Sequence, residues 1–482
     1  MTTVRFRNAA LQLLLAALVA PSARAQTDSA LLSKLSFNLT NPGGKSLAMG
    51  GAFTAIADDA TAALANPAGL GLISSIEFAV SGKRTDETLG LVTARSTATG
   101  PLAAPYPPIE TTNVDRDTRA ASVDFAGVVV PLTRRLVAAL TYAENLRFEG
   151  DAGGGGYQYI DLRDNRSAGG ARQDFLYSYR EFGSVSLRNR LLGLSLAYRV
   201  TESIRVGGGV TLNRASFDLG GDAGGPHRIT HRTFLSPTSD EIRTVTMRVD
   251  GVSGTKPGFI VGIHADLLAG GALTLGADYR SSPRNDGTLV LGGDVPTVLA
   301  SQTSRPFKFR VPRDAAIGLA WHPMPGLTVA AEAQWVAYGD IFDRSLPVIP
   351  YDGLVGPTPG FFVEHVLADV SPAPNVWVPR IGLEYVAGGN DARLAFRVGY
   401  HREPAHGVTA NLVAKEPSSG QPFPITDPPF SESVGAVFDG GRADDRFTGG
   451  LGLTIAKSLS VDFGFDVGRA SRQLAASLFY RF

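Results

Sequence analysis

Few residues in this chain combine type and spacing in a way that does chemistry. The densest set lies in Asn41–Ile73, which reads NPGGKSLAMGGAFTAIADDATAALANPAGLGLI. Asp58 and Asp59 are adjacent carboxylates, and the chemistry they offer is ion pairing with arginines of a surrounding structure. Asn66 precedes Pro67, so its backbone is biased away from helix. Its short amide can hydrogen-bond neighbouring backbone and fix a turn. Ala68 and Gly69 then allow close approach to the wall of the structure around them. Asp58, Asp59, Asn66, Pro67 and Ala68 are therefore expected to hold a segment in place.

Other constellations lead nowhere. His227 and His231 are spaced as on a helix, but they sit in a polar stretch with no third ligand, which reads as a solvated pair. Gly153–Gly156 lacks the Lys-Ser/Thr that completes a phosphate loop. There is no G-x-S-x-G elbow. No catalytic residue, metal ligand or cofactor site is assigned, and an enzyme is not expected. Lysine plus arginine balance aspartate plus glutamate at 45 each. That gives no basis for nucleic acid as a partner.

The elements that must position the Asn41–Ile73 stretch are strands. Leu474, Ala476, Leu478, Tyr480 and Phe482 alternate with Gln473, Ala475, Ser477, Phe479 and Arg481, a period of two. The same alternation runs through Leu192–Val200, Leu273–Tyr279, Leu394–Tyr400 and Val461–Val467. With its flanking residues each segment spans about 9–11 residues or more, the length a tilted strand needs to cross a bilayer. The chain carries 56 glycines and a mean hydropathy of +0.04. A lipid-spanning barrel has that near-zero mean because only every second residue faces lipid.

The ends agree. Arg5 and Arg7 precede an apolar run from Ala9 to Ala20, and Ala23-Arg24-Ala25 supplies small residues. This reads as a secretory signal peptide, residues 1–25. The C-terminal strand ends on an aromatic, which suits a membrane interface. With no cysteine, stability must come from something other than disulfides. A closed hydrogen-bonded barrel supplies it.

The connections alternate in length. Pro131–Arg135, Thr201–Ser203, Ala269–Gly271, Pro323–Gly326, Gly388–Asp391 and Ala456–Ser458 are tight. Between them lie long stretches, expected to be loops: Arg84–Arg119, Gly150–Val185, Gly220–Lys256, Pro283–Arg313, Ile341–Asn375 and Glu403–Ala443. Tight turns on one side and long loops on the other are what a transmembrane barrel produces. The count is about 14 strands, with both chain ends on the tight-turn side. Tyr198, Trp321, Tyr385 and Tyr480 are expected to form part of an aromatic girdle there. The long stretches are unusually apolar, as in Pro101–Ile109 and Leu346–Val363.

The run GGAFTAIADDATAALANPAGL resembles the N-terminal hatch segment of the FadL/TodX family. Asn66-Pro67-Ala68 matches the hatch motif, and Ala57-Asp58-Asp59-Ala60 matches the acidic pair before it. Val311-Pro312-Arg313, Gly399-Tyr400 with Glu403-Pro404, and Phe447–Phe482 extend the likeness. The resemblance implies an all-β transmembrane antiparallel barrel in the bacterial outer membrane. Residues 26–74 would form a hatch plugging the lumen and 75–482 the barrel. It implies passive uptake of hydrophobic molecules such as long-chain fatty acids or hydrocarbons. Tyr480 and Phe482 resemble the signal read by the barrel-assembly machinery, and outer-membrane lipid would be a further partner. The same hatch run also resembles a barrel scaffold that binds partners in a protein secretion system. A general porin would need a polar, open lumen and no plug.

Overall fold

A computed structural model describes residues 40–99, 110–151, 155–161, 175–220, 227–234, 240–250, 254–293, 304–341, 350–351, 366–371, 373–389, 391–407, 409–415, 422–424, 441–469 and 471–482. The expected signal peptide, and the apolar stretches 101–109 and most of 346–363, lie outside the described residues.

Fourteen strands close a barrel. In chain order they are β1 (Glu77–Ala98), β2 (Glu110–Pro131), β3 (Leu136–Asp151), β4 (Ser184–Arg199), β5 (Ile204–Gly220), β6 (Thr255–Asp266) and β7 (Leu273–Arg280). There follow β8 (Asp314–Met324), β9 (Leu327–Val336), β10 (Val376–Gly388), β11 (Ala392–Glu403), β12 (Asp444–Ile455), β13 (Leu459–Val467) and β14 (Ser471–Arg481). Each pairs antiparallel with the next. The ring closes where β14 pairs β1, from Glu87↔Ser471 to Glu77↔Arg481. Around the tight-turn end closure leaves no free edge, so the strands there satisfy their backbone inside lipid.

The alternation seen in the sequence sets the two faces. On β4, Leu192, Leu194, Leu196 and Tyr198 point outward, each about half exposed, while Leu191 and Ala197 are buried inside. Among the described residues no helix is long and apolar enough to cross a membrane. The apolar surface is carried by strands, and its continuity around the wall is that of a lipid-facing belt. Tyr198, Trp321, Tyr385 and Tyr480 are all exposed, and each lies beside a short turn, as expected. At Ala456 and Lys457 the β12–β13 turn takes positive φ, 50° and 60°. This matches the twist of a tight hairpin.

The expectation of loops on the far side is corrected. β1 and β2 continue as a paired ribbon to Arg95↔Glu110, across much of Arg84–Arg119. The other long stretches also carry strands, among them Gly155–Asp161, Phe175–Phe182, His227–Phe234, Asp240–Asp250, Arg284–Gly293 and Ser304–Arg310. The segment with His227 and His231 is thus extended, not helical. Polar Thr-, Arg- and Asp-rich runs pair just as well above the membrane, where no apolar outer face is needed.

The barrel interior near the tight turns is filled by residues 40–73. This segment forms a short helix α1 (Gly44–Ala48), a single turn α2 (Ala62–Ala65) and a 3-10 turn at Pro67–Leu72. Almost all of it is buried. Glycines on the inner wall make the room. A Cβ on Gly207 (β5) would stand 2.3 Å from Ala68 N, and one on Gly276 (β7) 2.2 Å from Thr54 O. On Gly382 (β10) it would meet Met49 O at 2.4 Å, and on Gly464 (β13) Gly44 O at 2.3 Å. A side chain at any of these points would displace the plug's backbone.

Candidate functional site: the hatch and the wall seam

Asn66 is fully buried and extended, with φ −142° and ψ 101°, as the following proline requires. Its Oδ1 accepts from Ala68 N at 3.2 Å and fixes the turn. Its Nδ2 donates to Thr54 O within the hatch and to Ile263 O on β6, both at 2.9 Å. One amide therefore folds the hatch and fastens it to the wall. Pro67 and Ala68 are buried directly after it. Gly69 serves a different contact from the one the sequence suggests: a Cβ there would meet Ala57 O at 2.0 Å, inside the hatch.

Asp58 and Asp59 do not reach wall arginines. Asp58 pairs with Lys45 of α1 at 2.7 Å, within the hatch. Asp59, 4% exposed, accepts from Thr61 N at 2.9 Å and from Thr61 Oγ1 at 2.5 Å. The wall arginines are already paired: Arg397 with Glu384 and Asp462, Arg446 with Asp444 and Asp466, and Arg481 with Glu77. Burial works against the Asp58 carboxylate, but the Lys45 charge outweighs it and holds the group below its ordinary range. Asp59 goes the other way. Burial, then the negative charges of Asp58 and Glu77, push its carboxyl up to about 7.

The anchors run instead from wall side chains to the hatch, most of them to its backbone. Glu332 (β9) accepts from Phe53 N at 2.9 Å and Thr54 N at 2.8 Å. Glu77 (β1) accepts from Ala60 N at 2.6 Å, and Asp278 (β7) from Thr54 Oγ1 at 2.9 Å. Arg199 donates to Gly71 O, Arg380 to Gly50 O, Thr274 to Ala55 O and Thr448 to Ala48 O. These residues were not singled out from the sequence. The available signal was glycine recurring inside otherwise alternating strands, which marks close backbone approach.

Away from the tight turns the wall parts. β2 pairs with β3 only from Pro131↔Val137 to Phe125↔Ala143. Beyond that point β2 stays with β1, and β3 stays with β4. Two register shifts flank the split and leave Asp124 on β2 and Asn145 on β3 out of the ladder register. Such bulges bend a strand and end its pairing. Arg147 Nη1 reaches across the seam to Ala121 O at 2.9 Å. Both Asp124 oxygens are buried without a hydrogen-bond partner among the described residues. An unpaired buried carboxylate disfavours tight closure there.

Apolar side chains lie on both sides of the seam. Inside and beyond the hatch, Leu146, Phe148, Val185, Leu187, Phe217 and Phe307 are all buried. The rings of Phe217 and Phe307 lie 5.0 Å apart. Outside, Val123 is exposed beside the split. An apolar groove of about 470 Å³ runs from Ala126 and Tyr142 down to Phe78 and Tyr480. Phe125, fully buried at the seam's lower lip, belongs to the same apolar cluster as Leu64 and Leu70 of the hatch and Leu191 of the wall. Hatch and seam therefore share one packing unit.

This architecture defines a class: a transmembrane barrel plugged from within by its own N-terminal segment. Within that class the chain has the fold of the FadL/TodX barrels. A Pseudomonas aeruginosa FadL homologue is similar over 93% of this chain and 100% of its own, with TM-score 0.54 and 15% identity. The Ralstonia pickettii toluene transporter TbuX covers 92% and 99%, at TM-score 0.49 and 17% identity. The monoaromatic hydrocarbon channel CymD covers 93% and 99%, at TM-score 0.47 and 14% identity. No protein-family model and no curated protein matches the chain.

Proposed function

We propose that this chain is an outer-membrane channel for passive uptake of hydrophobic molecules, long-chain fatty acids first among them. The observation that carries the reading is the set of apolar side chains facing the barrel interior above a seated hatch, Phe148, Leu187 and Phe217 among them, beside a split in the wall at the height of the lipid belt. An apolar solute gains by entering such a space, and an open aqueous pore gives it nothing. The ligand would descend to Phe125 and leave sideways between β2 and β3 into the outer groove, never crossing the hatch. The hatch then keeps water and small solutes out. Asp58, Asp59, Asn66, Pro67 and Ala68 form its gate: their turn holds Leu64 and Leu70 in the apolar cluster that Phe125 shares, so a shift of the hatch loosens the seam. Toluene and other monoaromatics, the cargo named for two of the similar structures, are the rival ligand class.

The chain would be exported through a signal peptide cleaved after Ala25, with 26–74 as hatch and 75–482 as barrel. Assembly machinery would read the strand ending in Tyr480 and Phe482. The reading is tested by mass spectrometry of lipids extracted from the purified protein, joined to uptake in liposomes. A bound fatty acid and its saturable uptake are expected. Retention of a secretion partner with no lipid and no uptake would favour the scaffold alternative.

A further inference from the structure

We propose that the outer face of β14, β1 and β2 holds an anionic, phosphorylated acyl lipid of the leaflet opposite the tight turns. Three arginines converge there. Arg472 (β14), Asp86 (β1) and Arg119 (β2) stand in one cross-strand row. Arg84 lies two residues nearer the membrane centre on the same outward face, opposite Leu474 and Ala121. Arg84 and Arg119 are 52% and 75% exposed at the side chain, and Arg472 is exposed too. A single aspartate lies among them: Asp86 is 3.0 Å from Arg84 and 3.9 Å from Arg119, and is the cross-strand neighbour of Arg472. The next acid along this ribbon, Asp117, takes a hydrogen bond from Thr88. In a chain of zero formal net charge this is a local excess of positive charge.

Its height fits a headgroup. Arg472 lies ten residues from Phe482 along one strand, about 25 Å of a tilted barrel strand and the full thickness of an apolar belt. Below the arginines the surface is not flat. An open groove of about 790 Å³ includes Arg84 at its rim and Val398, Leu451, Phe463, Phe465 and Leu474 along its length. Ala476 lies within it. Guanidinium forks bind phosphate oxygens in pairs, and the groove below receives acyl chain. A zwitterionic lipid matches the groove without the charge, and free phosphate matches the charge without the groove. The combination selects a lipid with uncompensated phosphate.

The test uses the full chain in phosphatidylcholine nanodiscs doped with diphosphoryl lipid A, followed by native mass spectrometry of the released protein. Wild type should retain lipid A. Arg84→Gln with Arg472→Gln should lower retention about tenfold or more. Ala476→Trp, which fills the groove and keeps every arginine, should lower it as well. Excess sodium phosphate should not displace the lipid, and dephosphorylated lipid A should bind as weakly as lipid A does to the double variant. All three positions are on the outer surface, and heat-modifiable migration checks that each variant is folded. Equal retention by the folded double variant, equal binding of the dephosphorylated lipid, or displacement by phosphate would overturn the proposal. Fatty-acid uptake is not part of the readout, so the site stands or falls apart from the transport reading.

Discussion

The amide of Asn66 occupies the space that a side chain on Gly262 would fill: its Oδ1 stands 2.1 Å from where that Cβ would be. The hatch is thus seated against β6 by the absence of an atom on the wall and the presence of an amide on the plug. Gly262→Ala should push the turn off its seat. So should Asn66→Ala with Pro67→Ala, which removes three hydrogen bonds at a cost of about 3 kcal/mol. The barrel ladder is untouched by either change. Both variants should fold, leak small solutes in liposome swelling assays and show altered fatty-acid uptake. If leakage and uptake both match wild type, the hatch turn is filling and not a gate.

Glu332 should matter as much as any hatch residue. It is 7% exposed and receives two hatch N–H groups, with Arg380 beside it. Glu332→Ala leaves both donors unsatisfied and removes the carboxylate beside a buried guanidinium, a penalty of about 3–5 kcal/mol on hatch docking. Hydrogen exchange in residues 44–73 should accelerate while barrel amides stay protected. Unchanged protection in the hatch would show that the anchor lies elsewhere.

Much of the barrel was legible in the sequence, because a wall with lipid on one side and filling on the other imposes a period of two on every strand. The tight turns and the girdle of Tyr198, Trp321, Tyr385 and Tyr480 followed from the same constraint. The extensions beyond the belt were not legible: with no lipid to face, β1 and β2 lose the apolar alternation and read as loop. Asn66 could be placed in a turn because Pro67 restricts it locally. Its partner Ile263, and the anchors Glu332 and Asp278, could not be found this way. They meet the hatch from more than a hundred residues away, and Glu332 meets only its backbone, which leaves no trace in the hatch's own side chains. Asp58 and Asp59 misled because adjacent acids suggest arginine partners, whereas the wall arginines are neutralised by wall acids.

Hatch seating should weaken as pH rises. Asp59 binds its proton more tightly when docked, with a pKa of about 7 against an ordinary value of 3.8. A raised carboxyl contributes stability that is complete below its undocked pKa and lost as pH climbs through the docked one. Leakage through the wild-type barrel should therefore grow between about pH 4 and pH 7. Asp59→Asn keeps an acceptor for Thr61 and removes the titration, so its leakage should be flat over that range. A wild type and variant with parallel pH profiles would remove Asp59 from the mechanism.

Phe482 fastens the junction of β14 and β1 at the membrane interface. Its N–H donates to Ile76 O at 3.0 Å, and its ring meets Phe78 at 5.5 Å and Tyr480 at 4.9 Å, both edge-on. Phe482→Asp should cut the yield of heat-modifiable barrel several-fold while the transport rate per folded barrel stays near wild type. Normal yield with impaired transport would reverse the assignment.

The tight turns and the long ribbons should face opposite compartments. Epitope tags beside Gly270 or Gly389, in turns between barrel strands, should be hidden on intact cells. A tag beside Gly155, on the far-side ribbon, should be exposed. The reverse labelling would invert the orientation.

Uptake of radiolabelled oleate against glucose, in liposomes carrying wild type or a variant with Phe125→Ala, bears most directly on the lateral path. Oleate should enter the wild-type vesicles and glucose should not. Removing the ring at the seam's lip should change the oleate rate several-fold while glucose stays excluded, because the hatch remains seated. Glucose entering with oleate, or an oleate rate indifferent to Phe125 in a folded barrel, would contradict sideways release of a hydrophobic ligand.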